Sequence, residues 1–156
     1  MYLTDREWGW VAGIIDGEGH LSLYSSGPNA QDRANLRYLQ PRLGVGNTSL
    51  AMLERLQNWF GGGISTQGKP RKLTHQEAFQ WQLYQRVAIQ EILEQTVENL
   101  TEKQERGRLM LSYLQDCPPL EGGERYTTIQ HELAQTYFTR LKSLNAMRAR
   151  RQQEEL

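Results

Sequence analysis

Apolar and polar positions change period several times along the chain, and each change marks an element. Thr4 to Glu7 has the form of a capping box, with the Glu three residues after the Thr. Trp8, Val11, Ala12 and Ile15 then recur at helical spacing, and Gly17 and Gly19 end the helix. From His20 to Ser26 the pattern alternates, with Leu21 and Leu23 on one face and Ser22, Tyr24 and Ser26 on the other. After a polar loop, Arg37 to Gly46 alternates again, setting Leu39, Pro41, Leu43 and Val45 against Tyr38, Gln40 and Arg42. Pro41 inside this run points to an edge position or a bulge. Asn47, Thr48 and Ser49 offer caps for a helix striped by Leu50, Leu53, Leu56, Trp59 and Phe60 and stopped by Gly61 to Gly63. A third strand is expected over Ile64 to Gln67, then a basic turn over Gly68 to Lys72. A fourth strand follows, with Phe79, Trp81 and Leu83 alternating with Gln80, Gln82 and Tyr84. The period is helical again through Ile89, Ile92, Leu93, Val97 and Leu100. Thr101 to Gln104 reads as a second capping box, opening a helix that Cys117, Pro118 and Pro119 end. A last helix is expected from about Tyr126.

The order is helix, two strands, helix, two strands, then helices, which makes an α+β domain. Alternation in the strands gives a sheet with one core face and one exposed face. The exposed face collects Ser22, Tyr24, Ser26, Tyr38, Gln40, Arg42, Gln80 and Gln82. Such side chains donate, accept and bear charge, as base edges and phosphates require, and an antiparallel ribbon fits a major groove. The same face also reads as a sheet surface that is merely wet.

At 156 residues the chain suits one domain with a real core. No run is long and apolar enough to span a membrane, and the N-terminus lacks a secretory pattern, so a soluble chain is expected. Cys117 is the single Cys, which excludes an internal disulfide and points to a reducing compartment. His20, His75 and His131 lack zinc-ligand spacing. Net charge is zero but unevenly spread: residues 20–90 carry eight Lys/Arg against three acids, between two acidic flanks. A polyanion-facing middle and an unevenly charged surface both fit that distribution.

Val11 to Gly19, VAGIIDGEG, ends a helix on two carboxylates between glycines. Asp16 and Glu18 stand at the negative pole of the helix macrodipole, where an acid needs compensation or a cation. Gly9 and Gly13, one turn apart, cost the helix stability. Either a second backbone approaches there, or they pack on the chain's own sheet.

VAGIIDGEG resembles the LAGLIDADG signature of homing endonucleases, and the element order around it is similar to that family's αββαββα fold. The resemblance covers roughly residues 4 to 115, with a C-terminal helical extension over about 120–156. A single motif resembles the homodimeric, group I intron-encoded subgroup. That implies a site-specific, metal-dependent endonuclease cutting both strands of a long, near-palindromic double-stranded DNA site across the minor groove. The signature helices of two copies would pack through Gly9, Ala12 and Gly13, with Asp16 at the same contact, seating the helix. Glu18 would ligate Mg²⁺, with the Gly17 carbonyl as a further ligand. Mn²⁺ would substitute, and Ca²⁺ would support binding without cleavage. Asn47 matches a polar position that orders water, though it also reads as a plain helix cap. Lys103 matches a basic residue that stabilises phosphate charge. The four-stranded sheet would bind DNA through its polar face, with Thr66 added by the family's register, although Ile64 on its own sets the even positions of the third strand inward. Lys69, Arg71 and Lys72 would meet phosphates, or simply form a solubilising turn. No small-molecule cofactor and no membrane partner are expected. The compartment would be the cytoplasm, or a chloroplast or mitochondrial matrix for an organelle intron. One departure is Ala51, where relatives often carry a basic residue, unless Arg55 or Arg42 compensates. A cleavage-inactive maturase or transcription regulator of the same fold is the alternative.

Overall fold

A computed structural model describes residues 2–25, 39–68, 76–121 and 126–154, with side chains of the last stretch through Met147. The capping box at Thr4 forms. Glu7 N donates to Thr4 Oγ1 at 3.3 Å, and Thr4 N donates to Glu7 Oε2 at 2.7 Å. Those bonds from Thr4 hold the Glu7 carboxyl below the usual carboxylate range. Helix α1 then runs Asp5–Glu18 and buries Val11, Ala12 and Ile15. It passes directly into β1 (Gly19–Ser25) at Gly19, where a Cβ would stand 2.4 Å from the Ile15 carbonyl oxygen. Only glycine lets helix and strand join so tightly.

β1 pairs antiparallel with β2 (Leu39–Asn47), and β2 pairs with β4 (Phe79–Leu83), whose other neighbour is β3 (Gly63–Thr66). The spatial order is therefore β1-β2-β4-β3. β2 is an inner strand, yet β4 pairs with it only from Leu43 onward. At Pro41, which faces Leu23 of β1, β2 has a neighbour on one side alone, so the missing N–H costs no ladder bond on the β4 side. Helices α2 (Leu50–Phe60), α3 (Arg86–Thr96) and α4 (Gln104–Asp116) bury their stripes with α1 against Leu21, Leu43, Val45, Trp81 and Leu83. Gly62, at φ 83°, lies under the Trp81 ring nitrogen and the Gln82 carbonyl. Trp81 in turn donates to the Gly61 carbonyl at 2.8 Å, sealing the α2–β3 corner.

The second capping box does not form. Thr101 to Lys103 make a turn, α4 begins only at Gln104, and the Gln104 amide donates to the Val97 carbonyl instead. The acceptor that serves this turn comes from elsewhere in the chain, as described below. A last helix, α5 (Thr128–Glu154), packs antiparallel to α4, tied by Tyr137 to Asp116 near one end and by Arg106 to Leu144 and Asn145 near the other. Asn145 Nδ2 donates to the Leu21 carbonyl at 2.9 Å. That bond covers part of the outer edge of β1, which would otherwise present unpaired backbone.

Candidate nucleic-acid interface

The end of α1 is built from three compensations. Asp16 Oδ1 accepts from Lys103 N at 3.0 Å and Thr101 N at 3.1 Å, so its carboxylate caps the turn before α4. The Lys103 ammonium donates to the Asp16 carbonyl oxygen. Lys103 is only 1% exposed, which puts a buried positive charge against the negative end of α1. Glu18, in contrast, is exposed at the last position of the helix. Of the two acids, the first is thus structural and the second faces outward.

Gly9, Gly13 and Gly17 form an exposed row, and a Cβ at any of them would meet nothing within 4 Å. Own-sheet packing therefore does not explain Gly9 and Gly13. Ala12, grouped with them from the sequence, lies instead in the chain's own core at 3% exposure. Asp16 is likewise committed within the chain. Of the four residues grouped for this contact, only Gly9 and Gly13 lie on the open face of α1.

β2 ends at Asn47, beside the start of β1, since Gly19 pairs with Val45. Asn47 Oδ1 accepts from Ser49 N at 2.8 Å, while the Ser49 side chain makes no cap bond to α2. Asn47 thus makes a local turn before the helix, and α2 carries no side-chain cap. Ala51 is exposed. Arg55 does not fill its place: its guanidinium lies 5.3 Å from the Trp10 ring and 5.8 Å from the Trp59 ring. Trp10 is eight residues, about 12 Å, from Glu18 along α1. Arg42 stays on the sheet, where its Nε donates to Ser22 Oγ at 3.1 Å.

On the sheet face away from the helices, three rows cross β1 and β2: His20 beside Gly44, Ser22 beside Arg42, and Tyr24 beside Gln40. Gln82 and Gln80 extend this face from β4, next to Gly44 and Gly46. Thr66 does not belong to it. Thr66 pairs with Phe79 and Ile64 with Trp81, so both lie on the helix side, whereas Ser65 pairs with Gln80. Ile64 sets the even positions inward, and the register implied by the resemblance is one residue off here. Sequence reasoning thus missed Ser65, and also His20, whose even position in the alternation of β1 was the available signal. Ser26, Tyr38, Lys69, Arg71 and Lys72 lie outside the described residues.

No protein-family model matches the chain, and no curated protein is similar enough in sequence to match. Solved structures do match. An archaeal intron-encoded homing endonuclease complexed with DNA, I-Vdi141I, aligns at TM-score 0.66 and 16% identity over 90% of this chain and 84% of its own. I-CvuI, in complex with its target in the presence of 2 mM Ca, aligns at TM-score 0.54 and 18% identity over 88% and 96%. The fold is that of the LAGLIDADG homing endonucleases. I-SmaMI, a LAGLIDADG homing endonuclease bound to cleaved DNA, aligns at TM-score 0.57 and 19% identity. There this chain is covered over 85%, but it spans only 42% of I-SmaMI. Within the LAGLIDADG fold, Val11–Glu18 is the C-terminal part of α1 and Gly19 the entry to β1. No described helix is long and apolar enough to cross a membrane.

Proposed function

We propose that this chain is a site-specific double-strand DNA endonuclease that acts as a homodimer. The observation that carries the proposal is the end of α1. There an exposed Glu18 follows an exposed glycine row, beside the polar face of the sheet. I-Vdi141I and I-SmaMI were solved with DNA, which favours DNA as the partner.

The donor set at this end fits a divalent cation. Glu18 and the Gly17 carbonyl are hard oxygen donors, and Mg²⁺ takes oxygen ligands. Among the described residues no group of three His, Cys, Asp or Glu could hold a metal. With Asp16 bonded to the turn before α4, Glu18 is the carboxylate left at this helix end, and a second copy meeting it across the glycines would double the set. When bound there, the ion would supply Lewis acidity and an activated water. Mn²⁺ would serve in its place, and Ca²⁺ would hold DNA without supporting cleavage. Around the site, the Asn47 amide would orient water, and buried Lys103 would keep a fixed positive charge behind Glu18. Each scissile phosphate lies on a different strand, so a two-fold pair would cut both. A symmetric dimer would also read a near-palindromic site, one half per subunit.

Two observations favour a second reading, a cleavage-inactive DNA- or RNA-binding protein of the same fold. Position 51 carries no cation, and Lys103 is sealed inside the single chain rather than presented to a phosphate. Incubation with a randomised duplex library separates the two. The endonuclease reading expects cut products with Mg²⁺, none with Ca²⁺, and none from Glu18→Gln, while Glu18→Gln still binds. Enriched binding without cutting in any metal would establish the binding-protein reading instead.

A further inference from the structure

Among its described residues the polar face holds a charged side chain, Arg42, whose orientation is already set. Arg42 Nε donates to Ser22 Oγ at 3.1 Å, across the β1–β2 pair where the two residues stand opposite each other. The guanidinium carbon lies 6.0 Å from the Tyr24 ring centroid. Arg42 is half-buried. The ion pairs among the described residues, Arg108 with Glu98 and Arg140 with Glu105, do not involve it. Its described neighbours on this face, His20, Tyr24, Gln40, Gln80 and Gln82, include no acid.

An arginine braced in this way has spent its Nε and kept its two terminal nitrogens. Those form the planar fork that matches two acceptors at once, and its rotamer entropy is largely lost before any ligand arrives. In a major groove the partner with two adjacent acceptors is guanine, through O6 and N7. A phosphate would also accept the fork, but phosphates line the rim of the groove, and Arg42 stands on the middle row of the β1–β2 ribbon.

We infer that Arg42 reads a guanine in each half-site, and that Ser22 and Tyr24 are positioning residues that aim its fork. This rests on the DNA-binding reading above and assigns it a base. It also changes the part given to Ser22, which touches the reading side chain and not the base. Rows along β1 are two residues apart, about 6.7 Å, so they correspond to roughly two base pairs of rise. The guanine therefore lies about two base pairs nearer the cut than the pair facing Tyr24 and Gln40.

Binding-site selection with the full-length chain in Ca²⁺, on randomised duplexes, tests this, using wild type, Arg42→Gln, Arg42→Lys and Ser22→Ala. Circular dichroism confirms that each variant folds. Wild type is expected to enrich a site with one symmetry-related guanine pair. Arg42→Gln should lose preference at that pair alone, by roughly 5- to 150-fold per half-site. Arg42→Lys keeps the charge without the fork and should not restore the preference. Ser22→Ala should weaken preference at the same pair, by less, and create none elsewhere. A uniform affinity loss in Arg42→Gln that Arg42→Lys repairs would mark a phosphate contact and overturn the inference. So would an unchanged site logo for Arg42→Gln. A wild type that enriches no sequence would instead overturn the DNA-reading proposal beneath it.

Discussion

Asp16 is a useful residue with which to weigh an acid placed against the helix dipole. Its position is unfavourable to a negative charge, but two backbone N–H groups of a turn more than eighty residues away converge on one of its oxygens. The same turn returns the Lys103 ammonium to the Asp16 carbonyl. The acid therefore holds the turn that leads into α4, while the first turn of α4 itself has no side-chain cap. Asp16→Ala should cost about 1–3 kcal/mol in denaturant unfolding, because it strands two donors. Asp16→Asn keeps an acceptor and should recover much of that loss. Equal losses for the two variants would mean that the carboxylate's charge, and not its hydrogen bonds, holds the turn. Lys103 couples stability to the proposed chemistry. Removing it leaves a buried carbonyl without its donor, so cleavage rates of such a variant are informative only under conditions where it stays folded.

At the scale of elements, the outermost strand and the last helix depend on one another. β1 has β2 on one side and, on the other, an α5 side chain, with Asn145 bonded to the Leu21 carbonyl and to Arg106 of α4. Asn145→Ala should raise amide hydrogen exchange over the C-terminal half of α5 and along β1, while β3 and β4 stay protected. Uniform exchange across the sheet would place the stabilising contact elsewhere. This contact explains part of what the sequence left unread. Helix and strand existence was legible because each long element repeats its period several times, and the order of elements followed directly. Three features were not legible, each for a physical reason. In the four residues of β3 a single apolar side chain, Ile64, marked the inward face, and the family's register overrode it, so Thr66 stood in for Ser65. The turn before α4 is held by Asp16, a partner remote in sequence, so the local Thr-x-x-Gln pattern does not form its box. Ala12 has the size of an interface residue, yet its position beside Val11 and Ile15 sends it into the core. At the candidate site, by contrast, the motif marked the right helix end and Glu18 is exposed there, while Asp16, expected at the contact between copies, turns to the chain's own turn before α4.

For the whole molecule, the glycines of α1 give a prediction whose sign depends on assembly. In an isolated chain, a side chain at Gly13 meets only open space. Replacing an exposed mid-helix glycine with alanine should then stabilise the fold by roughly 0.5–1 kcal/mol, through helix propensity. If two copies pack backbone to backbone along this row, the added Cβ separates them, and Gly13→Leu separates them further. Dimer stability then falls, and the midpoint of unfolding ceases to rise with protein concentration as it should for a wild-type dimer. Sedimentation equilibrium is expected to report a dimer for the wild type and a folded monomer for Gly13→Leu. Thermal unfolding of that monomer should be independent of concentration. Ala12→Leu provides the contrast, since it overpacks the core and should destabilise the monomer itself by about 1–3 kcal/mol. A wild type that sediments as a monomer, with Gly13→Ala simply more stable, would remove the shared two-carboxylate site. Glu18 would then be left as a single exposed acid at the end of a helix, without the second ligand that the proposed chemistry requires.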